Sequence, residues 1–385
     1  MKKVYFDSAA TTQLREEVIN RITEVLKTEY GNPSSSHSYG RSSKSVLENA
    51  RKEIAKLFNV AASEIIFTSG GTEADNLILN SAVRDLGVNR IISSRIEHHA
   101  VLHTLEWLQK EYNIQLDFVK LDACGNVDYA DLESLLANSS DKTLVSLMHV
   151  NNEVGNLLDL KKVALMCKEH KALFHSDTVQ SVGHYELDFT EIPIDFTAAA
   201  AHKFHGPKGA GFAFIRKNSG LRALIHGGEQ ERGLRAGTEA VYAIAGMAEA
   251  LKISYQNLKE ERKYITDLKE YFKEQLSINI PNVKFNGSCG DNEQSTYTLL
   301  NVCLPISDEK AMLLLFQLDL KGIACSKGSA CQSGAEGGSH VLNEILSDED
   351  LSKPSIRFSF SSFNTKEDVD YVVSVLKEFI DNGIG

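Results

Sequence analysis

The stretch Glu64-Ile-Ile-Phe-Thr-Ser-Gly-Gly-Thr-Glu-Ala-Asp-Asn76 runs from a β-rich apolar segment, through two glycines, into a helical pattern that continues to Leu86. Strand, tight turn, helix is the repeating unit of an α/β fold. The glycines permit the turn, and Thr72 stands where it could cap the helix. Free N–H groups at the helix start make an anion site that suits a phosphate. The run is neither G-x-G-x-x-G nor a P-loop, because no Gly-Lys-Ser/Thr follows. An ordinary capped helix fits the same residues.

The alternation continues on both sides. Strand patterns fall at 64–68, 90–93, 116–121, 143–150, 172–176, 195–199 and 211–215, with helical patterns at 72–86, 100–111, 128–136 and 160–171. Near-continuous apolar strands between amphipathic helices predict a mostly parallel sheet covered on both faces. A long polar helix over 240–276, broken near Ile253, leads to a smaller α+β unit. That unit reads as a strand at 296–304, a helix at 307–318, a short strand at 322–325, a Gly/Ser-rich stretch at 326–339 and a strand at 355–360. Its last helix opens with Thr365-Lys-Glu-Asp368, a capping-box pattern. The first dozen residues could pack on either unit.

Composition excludes several function classes. A chain of 385 residues, 42% apolar and 24% charged, has globular composition and room for two or three domains. Its 52 acidic and 41 basic residues give a net charge of −11 with no basic run, which disfavours nucleic acid and anionic membranes. No run of about 18 apolar residues is available to span a bilayer. The start, Met1 to Asp7, does not read as a signal peptide. Six cysteines without C-x2-C spacing argue against a disulfide scaffold or structural zinc, and make a cytosolic location the default.

Four further segments carry chemistry. In Phe174-His-Ser-Asp-Thr-Val-Gln180, Asp177 closes a buried strand, where α/β sheets place ligands; a helix N-cap is the plainer use of such an Asp. In Ala198-Ala-Ala-Ala-His-Lys-Phe-His205, Lys203 follows a strand of alanines whose small side chains admit a flat ring. Desolvation there would make its amine nucleophilic, although a surface loop is equally compatible. In Ile96-Glu-His-His-Ala-Val-Leu-His103, His99 and His103 are four apart, but the Glu of H-E-x-x-H is absent. His98 could stack on an aromatic ligand or move a proton, or any of these histidines could be structural. Ser326 to Ser339 surrounds Cys331 with glycines and serines and reads as an exposed, reactive thiol on a loop. Cys325 lies six residues earlier, and chemistry alone does not choose between the two thiols. A phosphate site, a strand-end Asp, a hindered Lys and a ring-stacking His together suit pyridoxal phosphate: the Lys forms the Schiff base, and the Asp keeps the pyridine nitrogen protonated.

Taken in order, Asp7-Ser-Ala-Ala-Thr-Thr12, Gly31-Asn-Pro-Ser-Ser35, Ser69 to Asn76, Glu97-His98, His149-Val-Asn-Asn-Glu-Val-Gly155, Asp177 to Gly183, His202-Lys203, Gly206 to Gly209, Gly227 to Thr238 and Ser329-Ala-Cys-Gln-Ser333 resemble the NifS-like cysteine desulfurases of the class V aminotransferase group. The resemblance runs from residue 4 to about 375. It implies an aspartate-aminotransferase-type α/β fold, with a large cofactor domain over 15–255 and a small domain of 1–14 and 256–385 bearing the catalytic cysteine loop. It also implies a cytoplasmic homodimer that binds pyridoxal 5'-phosphate and L-cysteine, contacts no nucleic acid or membrane, and passes sulfur to an acceptor or iron–sulfur scaffold protein.

Carried over residue by residue, the resemblance makes Lys203 the cofactor lysine, Asp177 the partner of the ring nitrogen, and His98 the stacking and proton-sharing residue. Gln180 and Asn152 would contact the ring hydroxyl. Thr72, His202 and the backbone of Gly71 would hold the phosphate, with Thr238 reaching it from the other subunit. Arg357, close to Asn32 and Asn152, would clamp the substrate carboxylate. Cys331 would attack the substrate sulfur, become a persulfide and release alanine. Selenocysteine lyase and plain aminotransferase are the neighbouring readings, and transamination needs no loop cysteine. Three positions depart from the family pattern. Ala200 replaces a hydroxyl residue near the phosphate, Ala335-Glu-Gly-Gly-Ser-His340 replaces a proline-containing loop, and Ser362 replaces an arginine.

Overall fold

The computed structural model describes residues 2–138, 142–306, 308–328 and 338–382. A short strand β1 (Val4–Tyr5) leads to helices α1 (Glu16–Thr28) and α2 (Ser38–Leu57). The alternating region follows as β2 (Ile65–Thr68), α3 (Gly71–Leu86), β3 (Arg90–Ser93), α4 (His99–Tyr112), β4 (Gln115–Phe118), α5 (Tyr129–Ala137), β5 (Thr143–Ser146), α6 (Leu160–Glu169), β6 (Leu173–Asp177), β7 (Phe196–Ala200) and β8 (Gly211–Ile215). Then come α7 (Val241–Gln256), α8 (Leu258–Asn279), β9 (Lys284–Phe285), β10 (Leu299–Cys303), α9 (Asp308–Leu320), β11 (Ile323–Ala324), α10 (His340–Ile345), α11 (Asp348–Leu351), β12 (Ser355–Ser359) and α12 (Lys366–Asn382).

Seven strands form one sheet in the order β2-β8-β7-β6-β5-β3-β4. Only β8 runs against its neighbours, so the sheet is mostly parallel, as the apolar strands predict. Successive residues of each strand feed opposite cores. Phe212 and Phe214 of β8 join Leu47 and Ile54 of α2 and Ile244, Met247 and Leu251 of α7. Ala213 and Ile215 join Leu77 and Ile78 of α3 and Val101 and Leu105 of α4. Both faces are therefore covered, and the sheet is accessible to ligands only at its edges.

The sequence pattern assigned no helices before residue 60, yet α1 and α2 pack on α7. The opening of α2, Ser38-Tyr-Gly-Arg-Ser-Ser43, is poor in helix formers. Gly40 is there for space: a Cβ would stand 2.4 Å from the Ser35 carbonyl oxygen and 2.6 Å from that of Asn32. The expected break near Ile253 falls instead at Asn257, between α7 and α8. The Thr365 capping box is present, with Thr365 N–H donating to Asp368 at 3.1 Å and Asp368 N–H to Thr365 Oγ1 at 3.3 Å.

The C-terminal strands β12-β10-β9 make a separate antiparallel sheet backed by α8 and α12. The N-terminal segment joins this unit. Here β1 pairs with β11, and Phe6 packs among Phe272, Phe358 and Phe360 with ring centroids 5.3–6.4 Å apart. The five cysteines among the described residues are free. No helix among them is long and apolar enough to cross a membrane.

Phe272 is fully buried at the centre of that aromatic group. Phe272→Ala is expected to lower unfolding stability by about 3–5 kcal/mol, measured by urea denaturation, through lost burial and the cavity left behind.

Candidate active site

Because β2, β3, β5, β6 and β7 run the same way, their C-terminal ends share one edge, and the segments that follow them converge there. β2 delivers Gly71 and Thr72, β3 delivers His98, β5 delivers Asn152, β6 delivers Asp177 and Gln180, and β7 delivers His202 and Lys203. Arg357 enters from β12 of the other sheet.

At the start of α3 the N-cap is Gly70, without a side-chain bond, so Thr72 does not cap the helix as its position predicts. The carboxylate of Glu73 does related work: it accepts the Ser69 N–H at 2.9 Å and the Arg235 guanidinium at 2.8 Å. Thr72 is left exposed, on a cleft of about 580 Å³ shared with His98, His99, His103 and Trp107. A Cβ on Gly71 would meet Val179 Cγ2 at 2.5 Å and Ala200 Cβ at 3.8 Å. The turn is thus packed directly against β7 and the segment after β6, with the methyl of Ala200 facing it.

His98 caps α4: its Nδ1 accepts the Ala100 N–H at 3.1 Å, which leaves the ring proton on Nε2. Burial, Lys203 and the neighbouring histidines lower its pKa to about 4, so the ring is neutral at pH 7. His99 and His103 stack with centroids 4.6 Å apart rather than converging as ligands would, and His340 closes on His99 at 4.3 Å.

Asp177 is buried, and one of its oxygens accepts the Val179 N–H at 2.8 Å. Burial raises its pKa to about 6, opposed by that hydrogen bond and by Lys203. Behind it lie two more buried carboxyls. Burial lifts Glu97 to about 8 and Asp75 well above the usual range, with the charge of Asp177 adding to both. His175 Nε2 stands 3.3 Å from Asp75 without the alignment of a hydrogen bond, and burial keeps this ring neutral. Lys203 Nζ donates to the carbonyls of Ala9 and Ala10, at 2.5 and 2.9 Å. Gln180 Nε2 donates to Ala9 O at 2.9 Å.

Asn151 and Asn152 divide their work. Asn151 is consumed by backbone bonds to Ile96, Glu153 and Val154, whereas Asn152 Oδ1 is buried without a partner. The carbonyl of Asn152 accepts Arg357 Nη1 at 2.7 Å, and Asp7 accepts Arg357 Nη2 at 3.0 Å. Arg357 is 1% exposed.

Cys331 lies outside the described residues, as do Ala335 and Gly337. The described chain on either side of that stretch comes together beside Glu153, which is wholly buried. Ser339 Oγ donates to Glu153 Oε2, and a Cβ on Gly328 would stand 3.0 Å from the same oxygen and 3.5 Å from Ser339 Cβ. His340 Nε2 bonds the carbonyl of Glu97, next to His98, at 2.9 Å.

Asn32 and Thr238 are exposed and sit elsewhere. Asn32 Oδ1 accepts the Ser34 N–H at 2.9 Å, and the Gly237 N–H donates to Gln230. Their neighbours Pro33, Ser34, Gln230 and Glu239 line a second cavity, of about 710 Å³. The sequence analysis assigned no role to Asp7, Ala9, Ala10, Asp75 or Glu153, although all five lie in stretches that carry the family resemblance.

The profile of the family described as aminotransferase class-V matches residues 4–372. The chain belongs to the class-V aminotransferase family. A Dictyoglomus turgidum relative named cysteine desulfurase IscS is 38% identical over 382 residues, covering 99% of this chain and 95% of the relative. A Bacillus subtilis relative named putative cysteine desulfurase IscS 1 is 40% identical over 373 residues, covering 96% of each. Among solved structures, a NifS-like protein superposes with a TM-score of 0.90 at 34% identity, covering 99% of this chain and all of that one. A structure titled SspA in complex with cysteine superposes at 0.82 with 28% identity, covering 94% of this chain and all of that one.

The class-V aminotransferases and cysteine desulfurases are pyridoxal-phosphate enzymes, and the residues present fit that group. Asp177 is a buried carboxylate whose charged form burial disfavours, and His202 Nδ1, Asn152 Oδ1 and Arg357 Nε are buried polar atoms without hydrogen-bond partners. The close-packed Gly71 turn presents backbone N–H groups at a helix start.

The raised pKa of Asp177 has a consequence for the cofactor-free protein. Between about pH 4 and 6 the folded chain holds a proton that the unfolded chain has released, so stability falls as pH rises through that window. Cofactor-free Asp177→Asn is expected to be more stable than the parent above pH 6, by roughly 2 kcal/mol, with the difference vanishing near pH 4. Calorimetric melts across that range check it.

Proposed function

We propose that this chain is a pyridoxal-phosphate-dependent cysteine desulfurase that converts L-cysteine to L-alanine and takes the sulfur onto Cys331 as a persulfide. The observation that carries the reading is the meeting, at one sheet edge, of a buried carboxylate, a lysine amine and a buried guanidinium. Gly328 and Ser339, described residues before and after Cys331 in sequence, both lie against Glu153, next to Asn152 and its bond to Arg357.

The family resemblance assigns the roles. Lys203 would hold the cofactor covalently, Asp177 would pair with its ring nitrogen, and Gln180 and Asn152 would contact its ring hydroxyl. Gly71 N–H, Thr72 and His202 would hold its phosphate. Ala200 offers that phosphate no hydroxyl, so one hydrogen bond worth about 1 kcal/mol is forgone. Pyridoxal phosphate supplies an electron sink for charge developing on the substrate α-carbon. Arg357 fixes the α-carboxylate, with Asn152 beside it.

Lys203 would take the substrate α-proton, and the carbonyls of Ala9 and Ala10 accept its ammonium. His98, neutral and carrying its proton on Nε2, would lie against the cofactor ring and share the proton transfers. The Cys331 thiolate attacks the substrate sulfur: the S–S bond forms, the C–S bond breaks, and the carbon skeleton leaves protonated as alanine. Cys325 does not compete, because burial and Asp7 push its thiol up to about 12.

The exposed positions of Asn32 and Thr238 support a homodimer in which they serve the partner's site. Units 15–255 and 1–14 with 256–385 bracket the cofactor. The sulfur then goes to an acceptor or iron–sulfur scaffold protein. Free cysteines accord with cytoplasmic work.

Purified protein should be yellow and, with L-cysteine and a reductant, release sulfide and alanine in equal amounts. Cys331→Ser should lose sulfide release by about 100-fold or more, yet keep the spectral change on cysteine binding; Cys325→Ser should stay within about twofold of the parent. A Cys331→Ser variant that consumes cysteine at the parental rate would sink the assignment; the thiol-bearing 2-oxo acid formed without sulfide would then point to the transamination reading.

A further inference from the structure

Asp7 does something that strand pairing does not require. The segment around it is already held by its backbone. Ser359 N–H donates to Phe6 O at 2.8 Å, Ser8 N–H donates to Ser359 O at 3.4 Å, and Ala9 N–H donates to Ser359 Oγ at 2.8 Å. The Asp7 carboxylate is spent elsewhere. One oxygen accepts both Arg357 Nη2, at 3.0 Å, and Ser326 Oγ, at 2.7 Å. Ser326 is itself bridged to Arg357 by two backbone hydrogen bonds, of 2.7 and 3.2 Å.

A guanidinium this deeply buried is costly without a counter-charge, so Asp7 accounts for a charged Arg357 before any substrate arrives. The same pairing acts on the substrate. Guanidinium has five donors and can carry two carboxylates, but the second must bind against the charge of the first. Asp7 keeps an 18% exposed side chain, so the two anions face each other in a partly wet pocket rather than a dry one.

We infer that Asp7 is the resident counter-ion of the substrate-binding guanidinium, a positioning residue that holds amino-acid carboxylates loosely enough for alanine to leave. This rests on the assignment of Arg357 to the α-carboxylate. Ser326 shares the charge: by donating to the same oxygen it moderates how much of it Arg357 feels.

The test uses the holoenzyme and binding rather than turnover. L-alanine and ethylamine, which lacks the carboxylate, are titrated against the cofactor absorbance and by calorimetry. Asp7→Asn keeps an acceptor oxygen for both donors and removes the charge. It is expected to tighten L-alanine binding by about fivefold to tenfold and leave ethylamine unchanged. Ser326→Ala, which strips the moderating donor, should shift L-alanine the other way, by about twofold. Should Asp7→Asn fail to fold, the Ser326→Ala titration decides. Arg357→Ala separates the two levels. If it leaves L-alanine affinity unchanged, the assignment of Arg357 fails and this inference with it. If it weakens L-alanine while Asp7→Asn does not tighten it, or Ser326→Ala does not weaken it, the counter-ion role alone is overturned.

Discussion

Charge buried at the rim of a sheet is the condition the rest of the molecule satisfies. Asp177 sits where the strand ends and the surrounding helices exclude water, and its ionised form is held against desolvation only by backbone N–H and nearby lysine. The neighbouring carboxyls respond by staying protonated: burial does this to Glu97 and Asp75, so three acids share a small space without three charges. Arg357 is paired with Asp7, and Arg51, equally buried, is paired twice with Glu231 at 2.6 and 2.7 Å. Each buried charge at this edge is thus either matched by an opposite one or suppressed by burial.

The large sheet was legible because its signal is local and repeated. Arg90–Ser93 and Thr143–Ser146 are short apolar runs between periodic helices, and a mostly parallel sheet buried on both faces follows from that pattern. The N-terminal helices were less legible, since α2 opens on serines and a glycine whose reason is the carbonyl oxygens of Asn32 and Ser35. No local propensity encodes such a contact. The expected strand 143–150 is regular only to Ser146, although Leu147 N–H and His149 N–H still donate to His175 O and Asp177 O of β6 at 3.2 and 3.0 Å, and Asn151 then turns the chain with its own side-chain hydrogen bonds.

The site divides along the same line. Asp177, Lys203 and His98 each stand at the end of, or just after, an apolar strand and can be picked out as chemistry at a sheet edge. Asp7, Ala9 and Ala10 cannot, because Asp7 meets Arg357 across nearly the whole chain and the two alanines meet Lys203 across half of it, through carbonyl oxygens that any residue would supply. Asp75 reads as an ordinary helix residue, and only the packing of α3 against β6 and β7 makes it a buried acid. Thr72 illustrates the reverse error: its side chain suits a cap, but the N-cap is Gly70 without a side-chain bond, and the Thr72 hydroxyl faces the cleft.

The meeting of Gly328 and Ser339 at Glu153 gathers two separate parts of the sequence onto one buried side chain. Asn152, next in sequence to Glu153, gives its carbonyl to Arg357. One peptide bond therefore links a carboxylate that holds Ser339 to the oxygen that holds the guanidinium. A change in the length or charge of the Glu153 side chain would be felt on both sides of that bond, so this residue works as a joint between the C-terminal unit and the sheet edge.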